Sequence, residues 1–121
     1  MTLLADTRAG LDLDSWTPAC SLRALLAGRG AAVLLPDGEQ AALFLLADGT
    51  LRAVGNIDPF GRAAVMSRGI VGDRRGEPTV ASPLLKQVFS LVDGRCLDDE
   101  SQSLPVYDVR VVDGFVEIRS R

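Results

Sequence analysis

Few residues of this chain could do chemistry. Two cysteines, Cys20 and Cys96, could form a disulfide or supply two thiolates, and Ser82 with Lys86 could be imagined as a nucleophile and its base. Asp58, ahead of Pro59, could carry a proton or bind a cation, and Asp98-Asp99-Glu100 is a run of three acids. The sequence contains no histidine. That removes the Ser-His-Asp triad, the Cys-His dyad, imidazole-ligated zinc, haem or iron, and the commonest general base. Two thiols cannot close a four-ligand zinc site. Each cysteine lies in an apolar stretch, where a reduced thiol packs as a small hydrophobe. Ser82 and Lys86 are neighbours in sequence alone, with nothing beside them to mark an oxyanion site. An aspartate before proline forms turns through its side-chain hydrogen bonds, and Asp58 takes that reading here. The acid triplet lacks the ligand spacing of a calcium loop and reads as a solvated loop. The expectation is a chain with no catalytic, metal-binding or cofactor-binding residue of its own.

The elements that would position these residues are strands. Asp-Gly pairs stand between apolar runs at Asp37-Gly38, Asp48-Gly49, Asp93-Gly94 and Asp113-Gly114, and such pairs suit the type I′ turn of an antiparallel hairpin. The runs are residues 31–35, 41–46, 50–54, 87–91, 106–112 and 115–119, with shorter strands expected at 15–20, 70–71 and 79–82. In residues 107–111, Tyr107, Val109 and Val111 alternate with Asp108 and Arg110, the period of two of a strand with one wet face. Only residues 22–27 read as helical, ended by Gly28, and Trp16 reads as a core residue on the first strand. Residues 56–78, with two prolines, four glycines and the arginines Arg62, Arg68, Arg74 and Arg75, read as one long loop, functional or mobile, its arginines either gripping carboxylates of a partner or solvated. At 121 residues, 47% of them hydrophobic, the chain is long enough for a single domain with its own core. Residues 1–14 read as a flexible N-terminal leader and 15–121 as the domain. A net charge of −3 offers no field to gather nucleic acid. No apolar run approaches the length of a membrane span, and the start lacks the features of a signal peptide, so the chain reads as cytoplasmic.

Two stretches couple a proline to the end of an apolar strand: Asn56-Ile57-Asp58-Pro59-Phe60, and Ala81-Ser82-Pro83-Leu84-Leu85-Lys86-Gln87-Val88-Phe89-Ser90-Leu91 followed by Gly94-Arg95-Cys96-Leu97. The first resembles the Cys-Pro-His loop of Rieske ferredoxins, and the second resembles their Cys-Pro-x-His loop with its aromatic strand and Gly-x-Cys-Leu turn. On that resemblance the two cysteine ligands fall on Asp58 and Ser82 and the two histidine ligands on Phe60 and Leu85. A Rieske centre needs two thiolates on one iron and two imidazoles on the other, so the resemblance implies a cluster scaffold whose ligands have all been replaced. With Met66 to Asp73 added, the pattern is similar to the small subunit of the assimilatory NAD(P)H-dependent nitrite reductase, from about Trp16 to Ile118. Gly61-Arg62 departs from that family, which more often has a serine there.

The resemblance implies an all-β, Rieske-like antiparallel β-sandwich or barrel with few or no helices. It also implies a non-catalytic subunit in a complex that reduces nitrite to ammonium, where FAD, an iron–sulfur cluster, sirohaem and the NAD(P)H site belong to the large subunit. In place of imidazole and iron, Phe60 and Leu85 read either as repacked core or as part of an exposed apolar tip on that partner, with Pro59, Phe60, Arg68, Pro83, Leu84 and Lys86 as interface residues. The alternative is a free-standing interaction or regulatory module that uses the same tip.

Overall fold

The computed structural model describes residues 15–120, so the expected leader lies outside the described residues. Among the described residues nine strands make two antiparallel sheets: β1 Thr17–Ser21, β2 Gly30–Leu34, β3 Gln40–Leu45, β4 Leu51–Gly55, β5 Ile70–Arg74, β6 Glu77–Ala81, β7 Val88–Ser90, β8 Val106–Val112 and β9 Phe115–Ser120. The larger sheet runs in the order β1-β9-β8-β4-β3-β2 and curls into a nearly closed barrel; the smaller is β5-β6-β7. This is the expected all-β antiparallel architecture. Two short 3₁₀ turns, Leu22–Ala24 and Met66–Arg68, complete the described elements, and no helix among them is long and apolar enough to cross a membrane.

Strand β3 belongs to two cores at once. Its run of apolar residues sends Ala41 and Leu43 into the interior of the curled sheet, where they meet Leu35, Ala53, Val116 and Ile118. Ala42 and Phe44 point the other way, into a second core closed by Met66, Val80, Phe89 and Leu91 beneath the small sheet. All four of these β3 side chains are fully buried. A strand covered on both faces reads as a continuous apolar run rather than an alternating one, and Gln40–Leu45 does. Both cysteines are free, Cys96 in the second core and Cys20 half-buried on β1.

The Asp-Gly pairs lie in turns, of more than one type. Asp113-Gly114 is the two-residue type I′ turn of the β8–β9 hairpin, with φ of 51° and 79° and Val112 paired to Phe115. At Asp37-Gly38 and Asp48-Gly49 only the glycine has positive φ. Gly38 N–H there donates to Leu35 C=O, Gly49 N–H donates to Leu46 C=O, and the aspartate Oδ1 accepts from the amide two residues on. These are three-residue loops with glycine in the left-handed position. Asp93-Gly94 closes a wider loop, Gly94 N–H reaching back to Ser90 C=O.

Three expectations need correction. The helix expected over 22–27 is a single 3₁₀ turn, because Leu25 turns extended (φ −87°, ψ 143°) to place its side chain in the barrel core. The long loop expected over 56–78 contains the β5–β6 hairpin. Its two-residue turn is Arg75-Gly76, where Arg75 takes the left-handed conformation (φ 55°) that asparagine or aspartate would have signalled. Trp16 is not a core residue: it precedes β1, half-buried, with the guanidinium groups of Arg110 and Arg119 lying 4.2 and 4.5 Å from its ring centroid.

Tyr107, the only tyrosine, faces the barrel core, and its hydroxyl donates to Glu39 Oε1 at 3.4 Å. Burial first, and the Glu39 carboxylate second, push its phenol up to about 12. An unfolded tyrosine releases its proton near pH 10, roughly. The stability tied to this proton is therefore whole below that pH and is lost as pH rises toward the folded value. An ultraviolet titration of the phenolate reads this one residue directly: its midpoint is expected near pH 12, as the structure places it, and Glu39→Gln lowers it.

Candidate functional site

At one end of the molecule two loops meet, and their backbones are hydrogen-bonded alike. In the first, Asp58 N–H donates to Ala63 C=O at 2.9 Å and Arg62 N–H donates to Asp58 C=O at 2.7 Å. In the second, Ser82 N–H donates to Gln87 C=O at 2.9 Å and Lys86 N–H donates to Ser82 C=O at 3.1 Å. A proline follows the first residue of each loop and holds it extended. The fifth residue, Arg62 or Lys86, has left-handed φ of 57° or 65°. The side-chain oxygen of each first residue accepts from the amide two positions on. Phe60 N–H donates to Asp58 Oδ1 at 2.8 Å and Leu84 N–H donates to Ser82 Oγ at 3.3 Å.

Among the described residues the loops are joined by one side-chain hydrogen bond, the Ser82 hydroxyl donating to Asp58 Oδ2. Both residues are buried, Asp58 at 0% exposure and Ser82 at 1%. Phe60 turns inward, its ring centroid 6.1 Å from that of Phe89. Leu84 and Leu85 turn outward, 48% and 56% exposed. Leu84 lies over Gly61 so closely that a Cβ there would come within 2.9 Å of Leu84 Cδ1. The Lys86 ammonium is exposed and makes no hydrogen bond to the Ser82 hydroxyl among the described residues, so the nucleophile pair does not exist.

Asn56 fixes the first loop to the barrel. Buried to 1% exposure, it donates from Nδ2 to Gln40 Oε1 at 3.1 Å and accepts the Ser67 N–H on Oδ1 at 2.7 Å. Its backbone N–H donates to Gln40 C=O and its C=O accepts from Met66 N–H. The 3₁₀ turn at Met66–Arg68 is thereby held against β3. Arg68, with Arg29 and Ile70, lines a groove of about 360 Å³ between the edge strands β2 and β5. Arg29, Arg62, Arg68 and Lys86 form no ion pair among the described residues, whereas Arg74, Arg95, Arg110 and Arg119 all do. Asp98 is more than a solvated acid: its Oδ2 accepts the Val88 N–H at 2.9 Å and its Oδ1 meets Arg74.

Residues 15–119 match the family model of the Rieske-like [2Fe-2S] domain. A Salmonella typhimurium protein, the nitrite reductase (NADH) small subunit, is 44% identical over 108 residues, which cover 88% of this chain and 99% of that one. The chain belongs to the nitrite reductase small-subunit family. A Mycobacterium tuberculosis chain whose crystal structure is described as an NADH-dependent nitrite reductase small subunit is 57% identical, with a TM-score of 0.85 over 88% of this chain and 96% of its own. A further likeness, 40% identity over 101 residues, is to a stretch of the Klebsiella oxytoca nitrite reductase [NAD(P)H] large subunit that covers 84% of this chain and 10% of that protein.

The residues that this family member places on its two loops do not fit a [2Fe–2S] centre. Such a centre takes thiolates and imidazoles. Here the loops offer a carboxylate and a hydroxyl already bonded to each other, a phenyl ring packed on Phe89, and an exposed leucine. The chain has no histidine; Cys96 is committed to the core and Cys20 to β1. Among the described residues no three His, Cys, Asp or Glu side chains converge on a metal position. Of the residues singled out from sequence, the structure brings Asp58, Pro59, Phe60, Ser82, Pro83, Leu84 and Leu85 together. Asn56, Arg29 and Arg62 were given no separate role. Asn56 had a signal, as first residue of its motif, but its partner Gln40 is 16 positions away.

Two measurements follow. Incubation of the purified chain with iron and sulfide is expected to leave it colourless, with no stoichiometric iron retained. Asn56→Ala strands two part-buried hydrogen-bonding groups and is expected to lower stability in urea by about 2 kcal/mol.

Proposed function

We propose that this chain is the small subunit of an NAD(P)H-dependent nitrite reductase that converts nitrite to ammonium in the cytoplasm, and that it docks on the large subunit through the two-loop tip without doing chemistry itself. Asp58, Phe60, Ser82 and Leu85 then stand where cluster-bearing relatives hold their ligands. FAD, an iron–sulfur cluster, sirohaem and the nicotinamide site belong, on this reading, to the large subunit.

The observation that carries the docking face is the composition of the tip. Exposed Leu84 and Leu85 share the second loop with Lys86, and Arg62 ends the first; both cations lack ion-pair partners among the described residues, in a chain whose net charge is −3. Apolar side chains flanked by guanidinium or ammonium groups, on loops held by a rigid scaffold, are the usual anatomy of a protein-binding surface. The Klebsiella oxytoca likeness supports the partner, because there a stretch similar to this chain is part of a large-subunit polypeptide.

Co-expression with the large subunit tests the reading. The two are expected to co-purify. Leu84→Asp combined with Lys86→Glu is expected to weaken the complex about a hundredfold, through lost apolar contact and reversed charge. Val112→Lys, on an exposed position of the β8–β9 hairpin, is expected to leave it intact. A chain that does not bind, or whose removal leaves nitrite turnover and complex stability unchanged, overturns the proposal.

A further inference from the structure

The space between the two loops is closed by their own side chains. We infer that the buried Asp58–Ser82 hydrogen bond is a clasp that positions the docking tip, taking over mechanically the joining role for which a metal cluster would otherwise be needed. This inference rests on the docking reading for its consequence at the partner, but the clasp itself stands on geometry. It is the one side-chain hydrogen bond between the loops among those described, and both its residues are buried. From it the rest of each loop is ordered. Asp58 Oδ1 takes the Phe60 N–H and, at 3.3 Å, the Gly61 N–H, while Ser82 Oγ takes the Leu84 N–H. The amides that orient Phe60 inward and Leu84 outward thus hang on the two side chains that grip each other. Two non-glycine residues with left-handed φ, Arg62 and Lys86, end the loops. Such conformations persist only where the surroundings over-determine them, and here they aim the two unpaired cations of the tip.

Because the two loops share one hydrogen-bond pattern, the clasp has no inherent direction. Either loop can supply the acid and the other the hydroxyl, since each first-position oxygen meets the same amide two residues on. This separates a clasp from two unrelated buried polar residues, which would not tolerate exchange.

The test uses the full chain with its large subunit in four forms: wild type, Asp58→Ser, Ser82→Asp, and the double exchange. Asp58→Ser leaves two short hydroxyls that do not span the gap, and Ser82→Asp sets two carboxylates against each other in a buried site. Ser82→Ala, which removes the donor without adding charge, replaces Ser82→Asp if that variant does not fold. Binding is measured below the lowest melting temperature of the set, and hydrogen exchange of the Phe60 and Leu84 amides is followed by NMR. Each single change is expected to weaken binding about tenfold and to speed exchange at both amides, and the double exchange is expected to return both quantities to within about threefold of wild type. Single variants that exchange and bind as wild type does, or a double exchange no better than the singles, overturn the clasp. A wild-type chain that does not bind the large subunit instead overturns the docking reading, and amide exchange alone then decides the clasp.

Discussion

Strand β3 is covered on both faces, and the rest of the domain is arranged around that constraint. Ala41 and Leu43 require a closed sheet on one side of it, and Ala42 and Phe44 require a second layer on the other. The curled sheet meets the first demand by bringing β8 and β9 round opposite β2 and β3, so that Val116 and Ile118 fill the interior. The small sheet meets the second with Val80, Phe89 and Leu91. Once β6 and β7 are fixed there, the loop that joins them is fixed too, and it carries Ser82. Gln40, at the start of β3, holds Asn56 and with it the loop that carries Asp58. Both halves of the tip are therefore referred to a single strand.

Antiparallel character and most strand positions were legible in the sequence because they are local. Val112 and Phe115 flank Asp113-Gly114, and nothing beyond those four residues is needed to expect a hairpin. The turn type at Asp37 and Asp48 was less legible, since the same dipeptide serves a two-residue loop and a three-residue loop, and the choice depends on strand register. Arg75-Gly76 gave no signal, because arginine is an uncommon occupant of a left-handed position. The helix expected at 22–27 yielded to packing: burying Leu25 outweighs a weak local preference.

The candidate site was legible as positions and illegible as contacts. The two proline-containing loops could be marked, and Asp58, Phe60, Ser82 and Leu85 set against a cluster motif, from residue order alone. That Asp58 and Ser82 bond to each other across 24 positions could not be read, for no periodicity links them. Phe60 and Leu85, treated alike in sequence, have opposite fates: one packs on Phe89 and the other faces solvent. That Arg68 lines one groove with Arg29, 39 positions earlier in the chain, is likewise a contact that residue order does not give.

A hydrogen bond between a carboxylate and a hydroxyl neither accepts nor releases an electron, and it needs no iron or sulfide to assemble. Loops joined at Asp58 and Ser82 reach their final shape as soon as the chain folds, without a maturation step. On the clasp reading they keep that shape under iron limitation and through every oxidation state of a redox partner. Domains of this fold that carry a centre change charge when they turn over; one held by the proposed clasp presents the same surface throughout.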